Sequence, residues 1–219
     1  GTVAGAANVI GGSTYAGVEI NGVATTGNKV QGNFIGTDAG GTVNLANGNN
    51  GVYLVNGASG NLIGGTVPGA GNTVAFNTDR GIVAVDSTTL GNAFLGNAVY
   101  SNGSLGIDLG WNGITSNDAN DSDSGPNGLQ NFPALTSANS NASGTTIVGT
   151  LNSNANTTYR IEYFASRPSV ADTPNGEGER FLGFITVTTN GSGNASVNTT
   201  LANVWVNSGD RVTATATVQ

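Results

Sequence analysis

The sequence predicts an all-β chain in two parts. Residues 1–110 read as a parallel β-helix (a solenoid of stacked coils), 111–133 as a junction loop, and 134–219 as an immunoglobulin-like β-sandwich. Three observations predict this. A Gly-apolar-x-apolar phrase recurs in order along the first half, the mark of stacked units rather than one globule. Val, Ile and Leu fall in short runs between Gly and Asn, with no helical period. After the junction, longer runs alternate at period two.

Composition bounds the rest. The chain has 219 residues, enough to bury a core without a disulfide or a metal. Only 9% of residues are charged while 36 are Gly, so Asn, Thr, Ser and Gly must cover the surface. Disorder also favours such a composition, but here the 37% of hydrophobic residues come in regular β-branched runs. The net charge is −7, and the basic residues Lys29, Arg80, Arg160, Arg167, Arg180 and Arg211 are scattered, which disfavours nucleic acid. Cys and His are absent, which excludes thiol chemistry and imidazole-based metal sites. No apolar run approaches membrane-spanning length, so no membrane insertion is expected. The chain opens on Gly1 inside a repeat-like phrase, as a processed chain or a piece of a longer one would.

In the first half the phrase begins at Gly17, Gly51, Gly81 and Gly106. Two Asn-led sets accompany it. One runs Asn28-Lys29-Val30, Asn61-Leu62-Ile63 and Asn92-Ala93-Phe94; the other runs Asn8-Val9-Ile10, Asn33-Phe34-Ile35, Asn72-Thr73-Val74 and Asn97-Ala98-Val99. Three short strands per coil would pair with the coils above and below at about 4.8 Å. Alternation turns Val18 and Ile20 inward and Glu19 outward, and stacks Val18, Val52, Ile82 and Ile107 in one inner column and Ile20, Leu54, Ala84 and Leu109 in another. The recurrent Asn residues are expected to form ladders, each amide bonding its equivalent one coil away. An up-and-down barrel fits less well, because hairpin signals are sparse.

The junction breaks the repeat. Asp118, Asn120, Asp121 and Asp123 are followed by Gly125, the oxygen-rich, turn-forming pattern that a structural Ca²⁺ loop needs. No Glu closes it as in an EF-hand, and a solvated acidic loop fits the pattern equally. Trp111 is expected to lid the open end of the solenoid, and Phe132-Pro133 to start the next part.

In the second half, period-two runs cover 146–151, 159–165, 182–188, 195–201 and 211–218. Asn190-Gly191-Ser192-Gly193 marks a hairpin turn. About seven short strands suggest an immunoglobulin-like sandwich without its disulfide. The loop from Pro168 to Arg180, with Asp172, Glu177 and Glu179, is a candidate contact loop.

Chemistry is sparse. A nucleophile needs a base beside it, and His is absent. Carboxylate chemistry of the β-helix polysaccharide lyase or hydrolase type needs acids close together. Glu19 and Asp108 hold equivalent outward positions but lie three coils, about 14 Å, apart, against roughly 5 to 9.5 Å between glycosidase carboxylates. Tyr53 and Val83 stand between them, and Asp38, Asp79 and Asp86 sit on bends. No catalytic residue is assigned, and a non-enzymatic role is expected.

The phrases 32–38, 63–66, 68–72, 105–109 and above all 117–133 resemble those of bacterial secreted and cell-surface proteins with right-handed parallel β-helix repeats followed by immunoglobulin-like modules. The resemblance implies an extracellular or cell-surface location and a structural or adhesive role. It brings no catalytic residues. An uncapped first coil over 1–20 suggests head-to-tail self-association into a filament, with strand donation between chains as a variant; other surface proteins and glycans are further expected partners.

Overall fold

A computed structural model describes residues 1–3, 5–168 and 176–219. The chain is all-β, and its first half stacks short parallel strands into three sheets, as a β-helix does. The first coil holds β1 (Val9–Ile10), β2 (Val18–Asn21) and β3 (Lys29–Val30); the second holds β4 (Phe34–Ile35), β5 (Val52–Val55) and β6 (Leu62–Gly64). The third holds β7 (Thr73–Ala75), β8 (Ile82–Ala84) and β9 (Ala93–Leu95), and the last holds β10 (Ala98–Tyr100) and β11 (Ile107–Leu109). The sheet orders are β1-β4-β7-β10, β2-β5-β8-β11 and β3-β6-β9.

The register matches the repeated phrases residue for residue. Val18, Val52, Ile82 and Ile107 pair in one column and Ile20, Leu54, Ala84 and Leu109 in the next. Ile10, Ile35, Val74 and Val99 form a third, and Val30, Ile63 and Phe94 a fourth. These columns are the solenoid core. Strands of two to four residues hold a register here because like side chains stack on like, and a slip by one residue would turn every column outward.

Three amide ladders reinforce the stack. In the first, the amides of Asn8, Asn33 and Asn72 donate to the Oδ1 of Asn33, Asn72 and Asn97 at 2.9, 3.1 and 2.9 Å. In the second, Asn28 donates to Asn61 and Asn61 to Asn92. In the third, Asn47 donates to Asn77 and Asn77 to Asn102. Backbone N–H groups join the same acceptors, as Asn33 N–H does to Asn72 Oδ1. Gly36 and Gly64 make the approach possible. Both lie in the left-handed region, at φ 81° and 84°, and a Cβ on either would strike the next coil's carbonyl oxygen and ladder amide.

The second half is two antiparallel sheets. Strands β12 (Ala134–Asn141), β13 (Gly144–Asn152), β16 (Asn194–Ser196) and β17 (Thr199–Ala202) form one; β14 (Thr158–Ser166), β15 (Arg180–Thr188) and β18 (Arg211–Val218) form the other, in the order β15-β14-β18. They enclose a core that includes Ile147, Leu151, Tyr159, Ile161, Tyr163, Leu182 and Val197, and Tyr163 Oη donates to the Val197 carbonyl across it. The run at 195–201 is two strands rather than one, and β12, with its polar sequence, carries no signal of its own.

The β14 sheet covers the end of the solenoid, which explains why β14 is buried on both faces. One face of β14 enters the core, while Glu162 on the other accepts from Gly96 N–H at 2.7 Å and from Arg160 Nε at 2.8 Å. The Arg160 guanidinium lies 3.5 Å from the Phe184 ring centre. Gly178 pairs with Val99 as a single antiparallel bridge. Glu177 accepts from Asn102 N–H and, at 2.9 Å, from its amide. Asn127 accepts from Asn92 N–H at 3.0 Å. Thus the ladders through Asn92 and Asn102 each end on a side-chain oxygen from beyond the solenoid.

This placement corrects one expectation. Trp111 does not lid the solenoid; its ring packs on the flank, 5.4 Å from the Tyr53 ring centre, and its Nε1–H donates to Asp79. Gly178 and Glu177 occupy the edge of the last coil instead. In the candidate contact loop, Glu177 closes a ladder and Glu179 pairs with Arg167. Asp172 of the same expectation lies outside the described residues.

Candidate functional site

Two places collect polar chemistry. The first is the junction. Asp118, Asp121 and Asp123 each bring a carboxylate oxygen within 4.8 Å of the others. Asn120 and Asp121 both adopt left-handed backbone, at φ 60° and 55°, which Asn and Asp tolerate better than most residues. The tight bend folds three acids inward. Asp118 Oδ2 accepts from the Ser122 hydroxyl at 2.6 Å, and these Ser122 bonds hold its carboxyl below the usual range. Asp121 is buried and accepts from Asn131 N–H at 2.7 Å and from Ser153 Oγ at 2.7 Å. Ser153 in turn bonds Tyr159 Oη, so Asp121 ties the junction to the second half.

Asp123 is the exception. Its Oδ1 is buried with no partner. Burial first, then the charges of Asp118 and Asp121, push its carboxyl above the usual range. Three anions held together with one orphaned oxygen suit a divalent cation, which supplies the charge the cluster lacks. Asn120 stands apart from this oxygen set: its N–H donates to Asn152 Oδ1, and its own Oδ1 faces Gly193. The sequence pattern found the acids but not the roles of Asn131 and Ser153, which come from 13 residues after Asp118 and from β13's end.

The second place is the flank along β2, β5, β8 and β11. Glu19, Tyr53, Val83 and Asp108 pair in one outward row. Asp108 is buried, and its Oδ2 accepts from Arg80 Nε at 2.8 Å and Gly113 N–H at 3.1 Å. Arg80 also bonds Asp79, so the Asp79-Arg80 pair belongs to a larger network roofed by Trp111. Tyr15, Tyr53 and Trp111 form a row of edge-to-face rings, with centres 5.8 and 5.4 Å apart. Burial, together with Tyr15 and the acids Glu19 and Asp86, pushes the Tyr53 hydroxyl up to about 12. Tyr15 remains exposed at 39%. Sequence reading placed Tyr53 on this flank but could not join Trp111 to it, because the register of the repeat stops before the junction.

No protein-family model matches the chain, and no curated protein matches it. Among the described residues no helix is long and apolar enough to cross a membrane.

Proposed function

We propose that the protein is a non-enzymatic extracellular or cell-surface structural or adhesive element, in which a right-handed β-helix is closed by an immunoglobulin-like sandwich. The observation that carries this is the commitment of its acids to architecture. Asp108 neutralises Arg80, Glu162 holds Gly96 and Arg160, Glu177 ends a ladder, and Asp121 ties the junction to β13 and β14. The two sheets of the second half, with seven strands among the described residues, support the immunoglobulin-like class. Polysaccharides incubated with the protein and Ca²⁺ should release no reducing sugar above a protein-free blank; saturable release would overturn the non-enzymatic reading.

The junction is assigned a structural Ca²⁺ held by Asp118, Asp121 and Asp123, with the unpartnered Asp123 Oδ1 as the supporting observation. Isothermal titration with Ca²⁺ and Mg²⁺ tests it, and Asp123→Asn should remove the Ca²⁺ heat.

A second reading, glycan binding on the flank, is favoured by the Tyr15–Tyr53–Trp111 row. The rings, with Glu19 near Tyr53 and Asp79 bonded to Trp111, offer a sugar both stacking and hydrogen bonds. A glycan array run with the protein and its Tyr15→Ala variant tests it; the reading fails if neither binds, or if both bind equally. Filament formation by self-association is supported by the first coil, whose strands β1, β2 and β3 are the outermost of their sheets. Electron microscopy of concentrated protein decides between filaments and single particles.

A further inference from the structure

The last coil and the second half leave a cleft of about 650 Å³ between them. One wall is the end of the solenoid, where the inward residues Phe94, Ile107 and Leu109 are only partly covered. Another is β18, the outermost strand of its sheet. Two incomplete structures, a core end and a sheet edge, therefore meet in one space.

The register fixes which backbone groups β18 leaves over. Gln219 N–H donates to Thr158 O, and Thr217, Thr215 and Thr213 stand opposite Arg160, Glu162 and Phe164 in the same phase. Hydrogen-bonded residues alternate along an antiparallel pair. Hence Val212, Ala214, Ala216 and Val218 turn their N–H and C=O groups away from β14, towards an edge that pairs with no strand among the described residues. Val212, Ala214 and Ala216 are half-buried, with side chains packed on the second-half core. The edge also lacks the usual protections. Residues 212–218 read Val-Thr-Ala-Thr-Ala-Thr-Val, with no charge and no Pro. Thr215 Oγ1 is buried without a partner as well.

The chemistry of the occupant follows. Only an extended polypeptide offers donors and acceptors alternating at the spacing of a strand edge. Its side chains on the solenoid side must be aliphatic, to cover Phe94, Ile107 and Leu109. Among the described residues the cleft lining holds no base to pair an acidic side chain, so the occupant carries no Asp or Glu. The cleft also continues the established interface between the β14 sheet and the last coil.

We propose that this cleft accepts one extended, non-acidic peptide segment of another polypeptide, with aliphatic side chains at alternate positions, as a strand added to β18. The proposal does not depend on the extracellular or adhesive reading.

The test titrates the full chain with a short capped peptide of alternating Val and Thr. Parallel arms use the same peptide N-methylated at alternate amides and one with Asp replacing alternate residues. Amide hydrogen exchange reads the site, and Ala214→Pro probes the edge, because the Ala214 N–H serves only the open side. Expected are slowed exchange at Ala214 and Ala216, binding about tenfold weaker or worse in Ala214→Pro with an unchanged melting temperature, and no binding of the N-methylated or acidic peptides. The proposal is overturned if the parent peptide leaves those amides unprotected at millimolar concentration, or if the N-methylated peptide binds equally well. The second arm decides the matter even where Ala214→Pro fails to fold. Self-association of the protein alone that Ala214→Pro disperses would replace the foreign occupant with a second copy, and so overturn the assignment.

Discussion

Replacing Asn72 tests the amide ladders most directly. Asn72 is 1% exposed, and its side chain uses its whole bonding capacity. Its Nδ2 donates to Asn97 Oδ1 at 2.9 Å and to Val30 O at 2.8 Å; its Oδ1 accepts from Asn33 N–H at 3.0 Å and from Asn33 Nδ2 at 3.1 Å. Asn72→Ala deletes all four bonds and strands two donors on buried Asn33. At about 1 kcal/mol per bond the loss is about 4 kcal/mol, falling to about 3 kcal/mol if a water enters the polar void. Asn72→Asp keeps the acceptor for Asn33 but sets a carboxylate oxygen against Asn97 Oδ1 and Val30 O. Its folded-state pKa must rise, so this variant should be closest to the parent in acid and lose stability as pH rises through that value. Urea unfolding followed by circular dichroism measures both, with exposed Asn139→Ala as the control. A loss under about 1 kcal/mol for Asn72→Ala, or one equal to that of Asn139→Ala, would refute the ladder as a source of stability.

Glu162→Ala strips the buried Arg160 of its partner and Gly96 N–H of its acceptor, and should cost about 3–5 kcal/mol in urea unfolding. Glu177→Gln replaces one of the two oxygens facing Asn102 with a donor and should cost about 1–2 kcal/mol in the same assay. Because the Asp123 carboxyl is held above its usual range, its contribution is favourable in acid and is lost as pH rises, so Asp123→Asn should raise the melting temperature at neutral pH without Ca²⁺. Asp118 runs the other way: Ser122 holds it down, so its contribution is present above the ordinary carboxylate range and disappears as pH falls, and Asp118→Asn should flatten the acid limb of a melting-temperature profile.

The parts of the fold that repeat were legible. Columns such as Val18, Val52, Ile82 and Ile107 are written into the phrase, and stacked Asn residues have no better partner than one another. The run 211–218 was read with its bounds intact, since nothing interrupts its alternation. By contrast, β12 is mostly exposed and exists because β13 pairs with it, so its residues carry no period. The closure of the solenoid was hidden for a different reason. Glu162 lies 66 residues from the Gly96 it binds and Glu177 lies 75 from Asn102, and neither pairing leaves a local pattern. At the junction, acid spacing revealed the cluster, but only burial shows that Asp121 is a tie and Asp123 the orphan.

The amide ladders also have a sense. Along a row, Asn33 and Asn72 each give one amide hydrogen to the Oδ1 of the coil that follows and lend their own oxygen to the one before, while the second hydrogen of Asn72 returns to Val30 O. An inverted coil would set oxygen against oxygen, so the rows admit a coil in one orientation only. Every interior coil presents the same pair of faces to the row, an amide donor ahead and an acceptor oxygen behind. Whole coils can therefore be duplicated or deleted from the middle without altering either terminus, and rod length becomes a quantity that evolution or an engineer can tune in steps of one turn.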